Sequence, residues 1–305
     1  MIRLGLIGVG RWGLNYARAI YALPGVEIAH ATSIPPIEKT LFSDSCAISR
    51  NWEEICDNTS LNGIIVTSPA STHLEIAIRA IERRVPLLVE KPLALSMLDA
   101  CLLDRLCKEK GSICFVPYIH LYSEGYQIIK RFLTSQDRIK QIKTYGLSYG
   151  PFRRDAPVLW DWGVHEIAIV SDLLDETISV EDCEIVASDS DKANAKIILL
   201  RLLSDSGINI TCKFGNISQF KKRTLDVETN TSKIAYDDSK PSQILIERSS
   251  MTPELLYYNY KRPLNNVINE FIQIIKDDFR DNRTIRSTVE ISRILEQAEK
   301  LINTT

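Results

Sequence analysis

The sequence of 305 residues contains no long apolar segment, and nothing in it approaches the roughly 18 consecutive apolar residues of a membrane-spanning helix. It also has no excess of charge of one sign, because 37 basic and 39 acidic side chains leave a formal net charge of -2 at pH 7. Neither nucleic acid nor an anionic membrane is therefore favoured as a partner. A glycine-rich motif begins within the first ten residues, so we expect no signal peptide and a cytoplasmic protein.

Closely spaced pairs of cysteine or histidine are also missing. The seven cysteines are an odd number scattered along the chain, which argues against a disulfide framework, and we expect them to be reduced and buried. Asp161, His165 and Glu166 are suitable ligand types for a metal ion, but the chain has only four histidines and none completes a ligand set by its spacing. We therefore expect no metal.

The pattern of apolar residues changes near residue 118. In the first third of the chain, short apolar runs alternate with helical periods, which predicts βαβ units and a parallel sheet. Further on, an alternation of apolar and polar residues predicts a sheet of the antiparallel type with one polar face. Its apolar members are Ile208, Ile210, Cys212 and Phe214. Two apolar stripes of helical period after residue 263 predict terminal helices, whose packing on the sheet or on the first domain stays open.

One helix of the first part has a clear start signal. Ser96 follows a proline-containing turn and is expected to cap the amino end of a helix. The helical period then predicts one apolar side made of Leu98, Cys101, Leu102 and Leu106.

A glycine-rich turn follows the first predicted strand and opens the first predicted helix. Gly8 permits a tight turn, Gly10 lets a pyrophosphate approach the backbone, and Gly13 allows close packing of the helix. The amino end of the helix supplies amide donors for phosphates. We predict a dinucleotide site that also includes Arg11 and Trp12, although a solvated Arg11 is an equal alternative.

The second strand lacks the residue that usually identifies the nicotinamide cofactor. An Asp or Glu at its end would bind the ribose 2′-hydroxyl of NAD, but Val26 to Thr32 is followed by Ser33. Ser33 can bind a 2′-hydroxyl or a 2′-phosphate, and Lys39 is near enough in sequence to neutralise the phosphate. The cofactor is therefore predicted as NAD or NADP, with both open.

The next strand ends at the same predicted edge of the sheet in a polar loop. We expect this loop to pack on the ribose and nicotinamide through Thr67, Ser68 and Pro69. Ser71 or Thr72 can also cap the helix that follows. His73 lies in the first turn of that helix and is included in the predicted cofactor site.

The apolar strand from Val85 onward ends in Glu90, Lys91 and Pro92. A lysine at a buried sheet edge is costly unless it is paired, and Glu90 or a substrate oxygen can pair with Lys91. Pro92 keeps Lys91 out of a helix and helps to aim it. A purely structural salt bridge is the alternative.

Asp161 and His165 form the candidate acid and base pair. If a helix begins near Asp161, the two side chains lie one turn apart on the same side. Histidine is the side chain best suited to exchange a proton near neutral pH. A capped or core histidine is the alternative.

Together these motifs resemble the Gfo/Idh/MocA oxidoreductases, a family named after glucose-fructose oxidoreductase, inositol dehydrogenase and a rhizopine-catabolism protein. The resemblance covers nearly the whole chain. It rests on Leu6 to Gly13, Ser68-Pro69, His73, Glu90 to Pro92, Asp161 to His165 and Glu270-Phe271.

The resemblance implies an α/β protein with an amino-terminal doubly wound Rossmann domain over residues 1–118. It implies a substrate-binding and oligomerisation α+β domain over residues 119–305, with a large, mostly antiparallel open sheet that forms a homodimer or homotetramer. It further implies hydride transfer between nicotinamide and a sugar or nucleotide-linked sugar, with catalytic roles for Lys91, Asp161 and His165. Trp12-Gly13 and Leu159 to Asp161 look most like the branch that acts on nucleotide-linked sugars.

Three positions depart from the family pattern. Ala168 replaces an aspartate three residues after the histidine, Ser33 replaces the acidic residue, and Tyr118 to His120 stands where an Asn-x-Arg segment is common. Two other functions therefore stay open. One is a nicotinamide-dependent oxidoreductase acting on a dihydrodiol or tetrapyrrole, and the other is a dinucleotide-binding sensor or partner protein without turnover.

Overall fold

In the computed structural model, the described residues are 1–33, 35–133, 138–240, 242–249, 251–277 and 283–304. They form two compact units, the first made of Met1–Pro117 and Leu264–Glu290, the second of Tyr118–Pro263 and Ile291–Thr305. The eight helices of these ranges are α1 (Arg11–Tyr21), α2 (Glu53–Cys56), α3 (His73–Glu82), α4 (Met97–Lys110), α5 (Glu124–Leu133), α6 (Val164–Leu174), α7 (Pro263–Asp277) and α8 (Arg283–Thr304).

A six-stranded parallel sheet forms the core of the first unit. Its strands are β1 (Ile2–Ile7), β2 (Val26–Thr32), β3 (Ala47–Ser49), β4 (Gly63–Val66), β5 (Leu87–Val89) and β6 (Cys114–Phe115). The order β3-β2-β1-β4-β5-β6 reverses direction between β1 and β4. Open sheets of this kind bind ligands beyond the carboxyl ends of the strands at such a reversal. The order confirms the predicted doubly wound sheet.

Buried apolar residues explain why the central strands lie inside the unit. Every residue of β4 and β5 is buried, as expected for strands covered on both faces. Helix α7 contributes to the cover, since a Cβ on Gly63 would lie 3.1 Å from the Phe271 ring. The predicted apolar stripe of α7 is confirmed by the burial of Val267, Ile268, Phe271 and Ile272.

Helix α4 confirms one prediction and corrects another. The Ser96 side chain accepts a hydrogen bond from the Asp99 backbone N–H and caps the helix as expected. The predicted apolar side was wrong, because Leu98 is 79% exposed and the buried residues are Ala100, Leu103 and Cys107. Helix α4 packs against α3, and this tertiary contact is what the apolar period of α4 alone could not predict.

An eight-stranded sheet forms the core of the second unit. Its strands are β7 (Ile139–Tyr149), β8 (Ile178–Ser188), β9 (Lys196–Ser204), β10 (Asn209–Gly215), β11 (Ile217–Thr229), β12 (Ser232–Asp237), β13 (Gln243–Arg248) and β14 (Glu254–Tyr257). The order is β14-β13-β12-β11-β7-β10-β9-β8, and every pair is antiparallel except β7 and β10. The predicted alternation in β10 is confirmed, since Ile210, Cys212 and Phe214 are buried.

Two further features of the described ranges bear on the predictions. None of their helices combines the length and the apolar character needed to cross a membrane. All seven cysteines are free thiols, but the expected burial holds for five of them, because Cys46 and Cys101 are half-buried.

Candidate functional site

The glycine-rich turn joins β1 to α1, and two of its glycines are required by the protein itself. Gly8 has a φ of +96°, and a Cβ there would lie 2.4 Å from the Ser68 backbone nitrogen. A Cβ on Gly13 would lie 2.2 Å from the Gly8 carbonyl oxygen and 2.8 Å from Thr67 Oγ1. Backbone atoms cannot yield as a flexible side chain can, so the turn closes only with glycine at both positions.

Gly10 differs from the other two glycines because its surroundings are open. Among the described residues, no heavy atom beyond its chain neighbours lies within 4 Å of the position that a Cβ on Gly10 would take. Gly10 is the N-cap of α1, and this helix end has neither a side-chain cap nor an acidic residue in its first turn. Open space before uncapped amide donors fits the pyrophosphate of a dinucleotide. Arg11 is exposed, and Trp12 is half-buried with its ring edge on Tyr16.

The loop after β4 contacts the same turn. The Thr67 hydroxyl donates to the Gly8 carbonyl oxygen at 2.6 Å. The Ser68 and Thr72 hydroxyls lie 2.7 Å apart, and Thr72 donates to the Pro69 carbonyl oxygen. Thr72 therefore does not cap α3 with its side chain, as one prediction had it, because its hydroxyl stabilises the loop instead.

His73 connects this loop to the end of β5. Its Nδ1 lies 2.8 Å from the Pro92 carbonyl oxygen and its Nε2 lies 2.9 Å from the Ser68 carbonyl oxygen. The side chain is buried, with 1% of its surface exposed. The imidazole thus holds two backbone segments together inside the first unit.

Glu90 is held by partners that the sequence did not reveal. The Tyr16 hydroxyl donates to Glu90 Oε1 at 2.6 Å, and the Lys91 backbone N–H donates to Oε2 at 3.2 Å. Glu90 is buried and Lys91 is half-buried. The carboxylate therefore fixes the backbone of Lys91, a contact that the sequence did not predict.

The Tyr16 contact gives a direct prediction. Tyr16→Phe keeps the ring but removes the hydroxyl that donates to a buried carboxylate, so the free energy of unfolding should fall by about 1–3 kcal/mol. Urea denaturation measures this change. Tyr21→Phe is the matched control, because Tyr21 is on the same helix and is 69% exposed. Equal stability of the two variants would contradict the assignment.

Ser33 follows β2 directly and is exposed. Thr32, the last residue of β2, accepts a hydrogen bond from the Gly8 backbone N–H at 3.0 Å, so the two strand ends are adjacent. Lys39 is also exposed, in a short 3-10 helix over Pro36–Leu41. The site can therefore present a hydroxyl and an ammonium group to the adenosine ribose.

The second unit carries Asp161 and His165. Asp161 lies in a π-helical turn, Leu159–Gly163, that leads into α6, and His165 lies in the first turn of α6. The expected helix thus begins with a wider turn than an ordinary α-helix. Asp161 is buried, and its Oδ2 lies 3.6 Å from Arg153 Nε. The His165 ring meets the His120 ring edge to face, with centroids 4.7 Å apart.

A buried ion pair lies beside His165, and sequence reasoning missed it. Arg223 Nη1 donates to Glu166 Oε1 at 2.9 Å. Burial raises the pKa of the Glu166 carboxyl, and Arg223 opposes that shift. A Cβ on Gly146 would lie 2.2 Å from Glu166 Oε1, so this strand glycine makes room for the carboxylate. The one signal in the sequence is Gly146 itself, a glycine inside strand β7.

Comparison with known proteins places the first unit in a family. Residues 2–118 match the family model described as the oxidoreductase family GFO_IDH_MocA with an NAD-binding Rossmann fold. These residues belong to the Gfo/Idh/MocA oxidoreductases. The matched range contains the glycine-rich turn, the loop after β4 and the segment from Glu90 to Pro92.

Proteins similar to this chain include dehydrogenases and reductases. The NAD⁺-dependent scyllo-inositol 2-dehydrogenase of Bacillus subtilis is 25% identical over 152 residues, 48% of this chain and 44% of the relative. The chain thus matches less than half the length of that enzyme. A crystal structure of a candidate oxidoreductase from Magnetospirillum magnetotacticum MS-1 is 26% identical with a TM-score of 0.86, covering 97% of this chain and 99% of the other.

A third comparison concerns the fold. The 3-ketoreductase KijD10 of Actinomadura kijaniata, crystallised with NADP and TDP-benzene, has a TM-score of 0.88 at 15% identity. The match covers 99% of this chain and 98% of KijD10. This chain therefore shares the KijD10 fold over nearly all of its length.

Proposed function

We propose that this protein is an NAD(P)-dependent oxidoreductase that transfers a hydride between nicotinamide and a hydroxyl or keto carbon of a sugar or nucleotide-linked sugar. One observation carries the proposal most directly: the open space at Gly10, in front of the uncapped end of α1, fits a pyrophosphate. The first unit binds the cofactor and the second unit binds the substrate. The Bacillus scyllo-inositol 2-dehydrogenase supports a sugar-like substrate, and the TDP-benzene in the KijD10 crystal supports a nucleotide-linked one.

The proposed cofactor site uses residues from three loops of the first unit. Gly8, Gly10 and Gly13 shape the turn for the pyrophosphate, with Arg11 and Trp12 beside it. Ser33 contacts the adenosine ribose. Contacts to the nicotinamide half come from Thr67, Ser68, Pro69, Glu90 and Lys91, and His73 holds the last two loops together.

Three side chains carry the proposed chemistry. When bound, NAD(P) accepts or supplies the hydride at its nicotinamide ring. On oxidation, His165 accepts the proton of the substrate hydroxyl, and the Lys91 ammonium group polarises the oxygen. Asp161 orients His165 or the sugar. The buried position of Asp161 beside Arg153 supports a fixed carboxylate rather than a solvated one.

The residues after the second strand leave the choice between NAD and NADP open. NAD use by the Bacillus relative and NADP in the KijD10 crystal keep both cofactors in the proposal. Ser33 offers a hydroxyl to either one, and Lys39 favours the 2′-phosphate of NADP. We therefore propose NAD or NADP as the cofactor, with both open.

Hydride transfer is tested with the purified protein, NAD or NADP, and a panel of cyclitols, free sugars and nucleotide-linked sugars. The expected result is substrate-dependent formation or loss of the reduced nicotinamide, followed by its absorbance. Turnover of aromatic dihydrodiols without turnover of any sugar would favour the alternative substrate class. A retained cofactor that never changes its redox state would favour the sensor.

We also propose a cytoplasmic homo-oligomer that associates through the open face of the eight-stranded sheet. One row of this face runs through Leu255, Leu245, Ala235, Asp226 and Lys143. Leu255 is 46% exposed at its edge. The row is apolar from Leu255 to Ala235 and ends in the oppositely charged Asp226 and Lys143. The same face of a second copy would offer complementary apolar and charged groups. Light scattering after size-exclusion chromatography measures the oligomeric state, and a monomer would contradict the proposal.

A further inference from the structure

The loop between β7 and the π-helical turn is fixed by two asparagines. The Asn216 side-chain amide donates to the carbonyl oxygens of Asn194 at 2.9 Å and Pro151 at 3.4 Å. The Asn194 amide donates to the carbonyl oxygens of Arg153 at 2.9 Å and Ala156 at 3.2 Å. Asn216 is itself 1% exposed. These hydrogen bonds fix the loop backbone, including the backbone from which the Arg153 side chain extends.

The Arg153 side chain forms an ion pair with the buried carboxylate of Asp161 through its Nε. Nε lies 3.6 Å from Asp161 Oδ2. Within the described ranges, Asp161 is the one carboxylate that pairs with Arg153, whose side chain is 38% exposed. A guanidinium group has five N–H donors, four of them on the two terminal nitrogens. The N–H groups on the two terminal nitrogens of this half-exposed side chain can therefore donate to a ligand beside Asp161.

We propose that Arg153 binds an anionic group of the substrate, a phosphate or a carboxylate, next to the carbon that reacts. The inference rests on the proposed function, because it places the substrate at Asp161. A planar guanidinium group matches both anions with two parallel hydrogen bonds, which makes it selective as well as strong. Anionic sugars are therefore the preferred substrates, and neutral cyclitols are poor ones.

A purely structural role for Arg153 makes a different prediction. If Arg153 served only to neutralise Asp161, its loss would affect neutral and anionic ligands alike. If it binds the substrate anion, its loss weakens anionic ligands alone. The comparison between the two ligand types therefore separates the two roles.

The test is isothermal titration calorimetry of the full chain with three probes: UDP-glucose, glucuronate and myo-inositol. Wild type should bind at least one anionic probe more tightly than myo-inositol, and Arg153→Gln should weaken that binding by roughly 10-fold or more. Arg153→Lys keeps the positive charge but lacks the planar guanidinium group, so its affinity for the anionic probe should lie between those of wild type and Arg153→Gln. Arg154→Gln is the matched control, because Arg154 is adjacent and exposed and its loss changes the net charge equally.

The probes also separate the two sources of the anion. Binding of UDP-glucose without glucuronate assigns a phosphate, and the reverse assigns a carboxylate. Thermal melting of each variant checks the fold, and Arg153→Lys carries the test if the glutamine variant does not fold.

Three outcomes would overturn the inference. They are myo-inositol binding as tightly as the anionic probes, equal losses in Arg153→Gln and Arg154→Gln, and no binding of either anionic probe at millimolar concentration. Calorimetry needs no turnover, so a positive result stands even if no hydride transfer is found. Turnover of a neutral sugar that Arg153→Gln leaves unchanged would overturn the inference and leave the proposed function intact.

Discussion

Replacing Lys91 or His165 by alanine should lower the rate of hydride transfer by about 1,000-fold or more. Lys91→Ala removes the positive charge proposed to stabilise the substrate oxygen, and His165→Ala removes the proposed proton acceptor. Each of these contributions commonly supplies about 100- to 10,000-fold in an enzyme. Steady-state kinetics on the substrate found by the panel gives kcat and KM for each variant.

Two controls separate a loss of chemistry from a loss of structure. Lys110→Ala removes an exposed lysine at the end of α4 and should leave kcat unchanged. Fluorescence titration with reduced cofactor should show that His165→Ala still binds the dinucleotide. Undiminished turnover in both Lys91→Ala and His165→Ala would exclude their catalytic roles.

Alanine at Gly10 should weaken cofactor binding without a loss of stability. Alanine at Gly13 should lower the stability of the protein itself. Gly10→Ala puts a methyl group into open space, so the melting temperature without cofactor should stay the same. The same methyl group should raise the Kd for NAD(P) by about 10- to 100-fold, because it occupies the space of the pyrophosphate. Gly13→Ala forces a Cβ to 2.2 Å from the Gly8 carbonyl oxygen and should destabilise the protein itself.

Overpacking of this kind typically costs about 1–3 kcal/mol, so Gly13→Ala should melt at a lower temperature even without cofactor. Differential scanning fluorimetry with and without NAD(P) measures both variants. Wild-type cofactor affinity in Gly10→Ala would show that no pyrophosphate lies against Gly10.

Local patterns in the sequence were sufficient for most of the first unit. The turn from β1 through Gly8 and Gly10 was predictable because a glycine-rich run between a predicted strand and a predicted helix is a local pattern. The apolar side of α4 was not, because Leu98 has the helical period of a core residue but is 79% exposed. Its buried side depends on how closely α3 approaches, which no spacing within α4 encodes.

Two contacts of the candidate site join residues that are far apart in the sequence, and sequence analysis missed both. Tyr16 and Glu90 are 74 positions apart, and Glu166 and Arg223 are 57 apart. No periodicity links such residues, since their meeting depends on the folded arrangement. The pair Asp161 and His165 was recognisable because both lie within a few residues on one helical segment, but Arg153 and His120 beside them were not.

The buried His73 ring connects the loop after β4 to the backbone next to Lys91, and this connection bears on how strongly the two ligands bind. A continuous set of contacts runs from the Gly8 carbonyl through Thr67 and Ser68 to the His73 ring and on to Pro92. A dinucleotide that tightens the turn at Gly8 would also restrict the backbone next to Lys91, and such coupling is reciprocal. A bound dinucleotide would therefore strengthen the binding of a substrate at Lys91, and that substrate would strengthen the binding of the dinucleotide by the same factor.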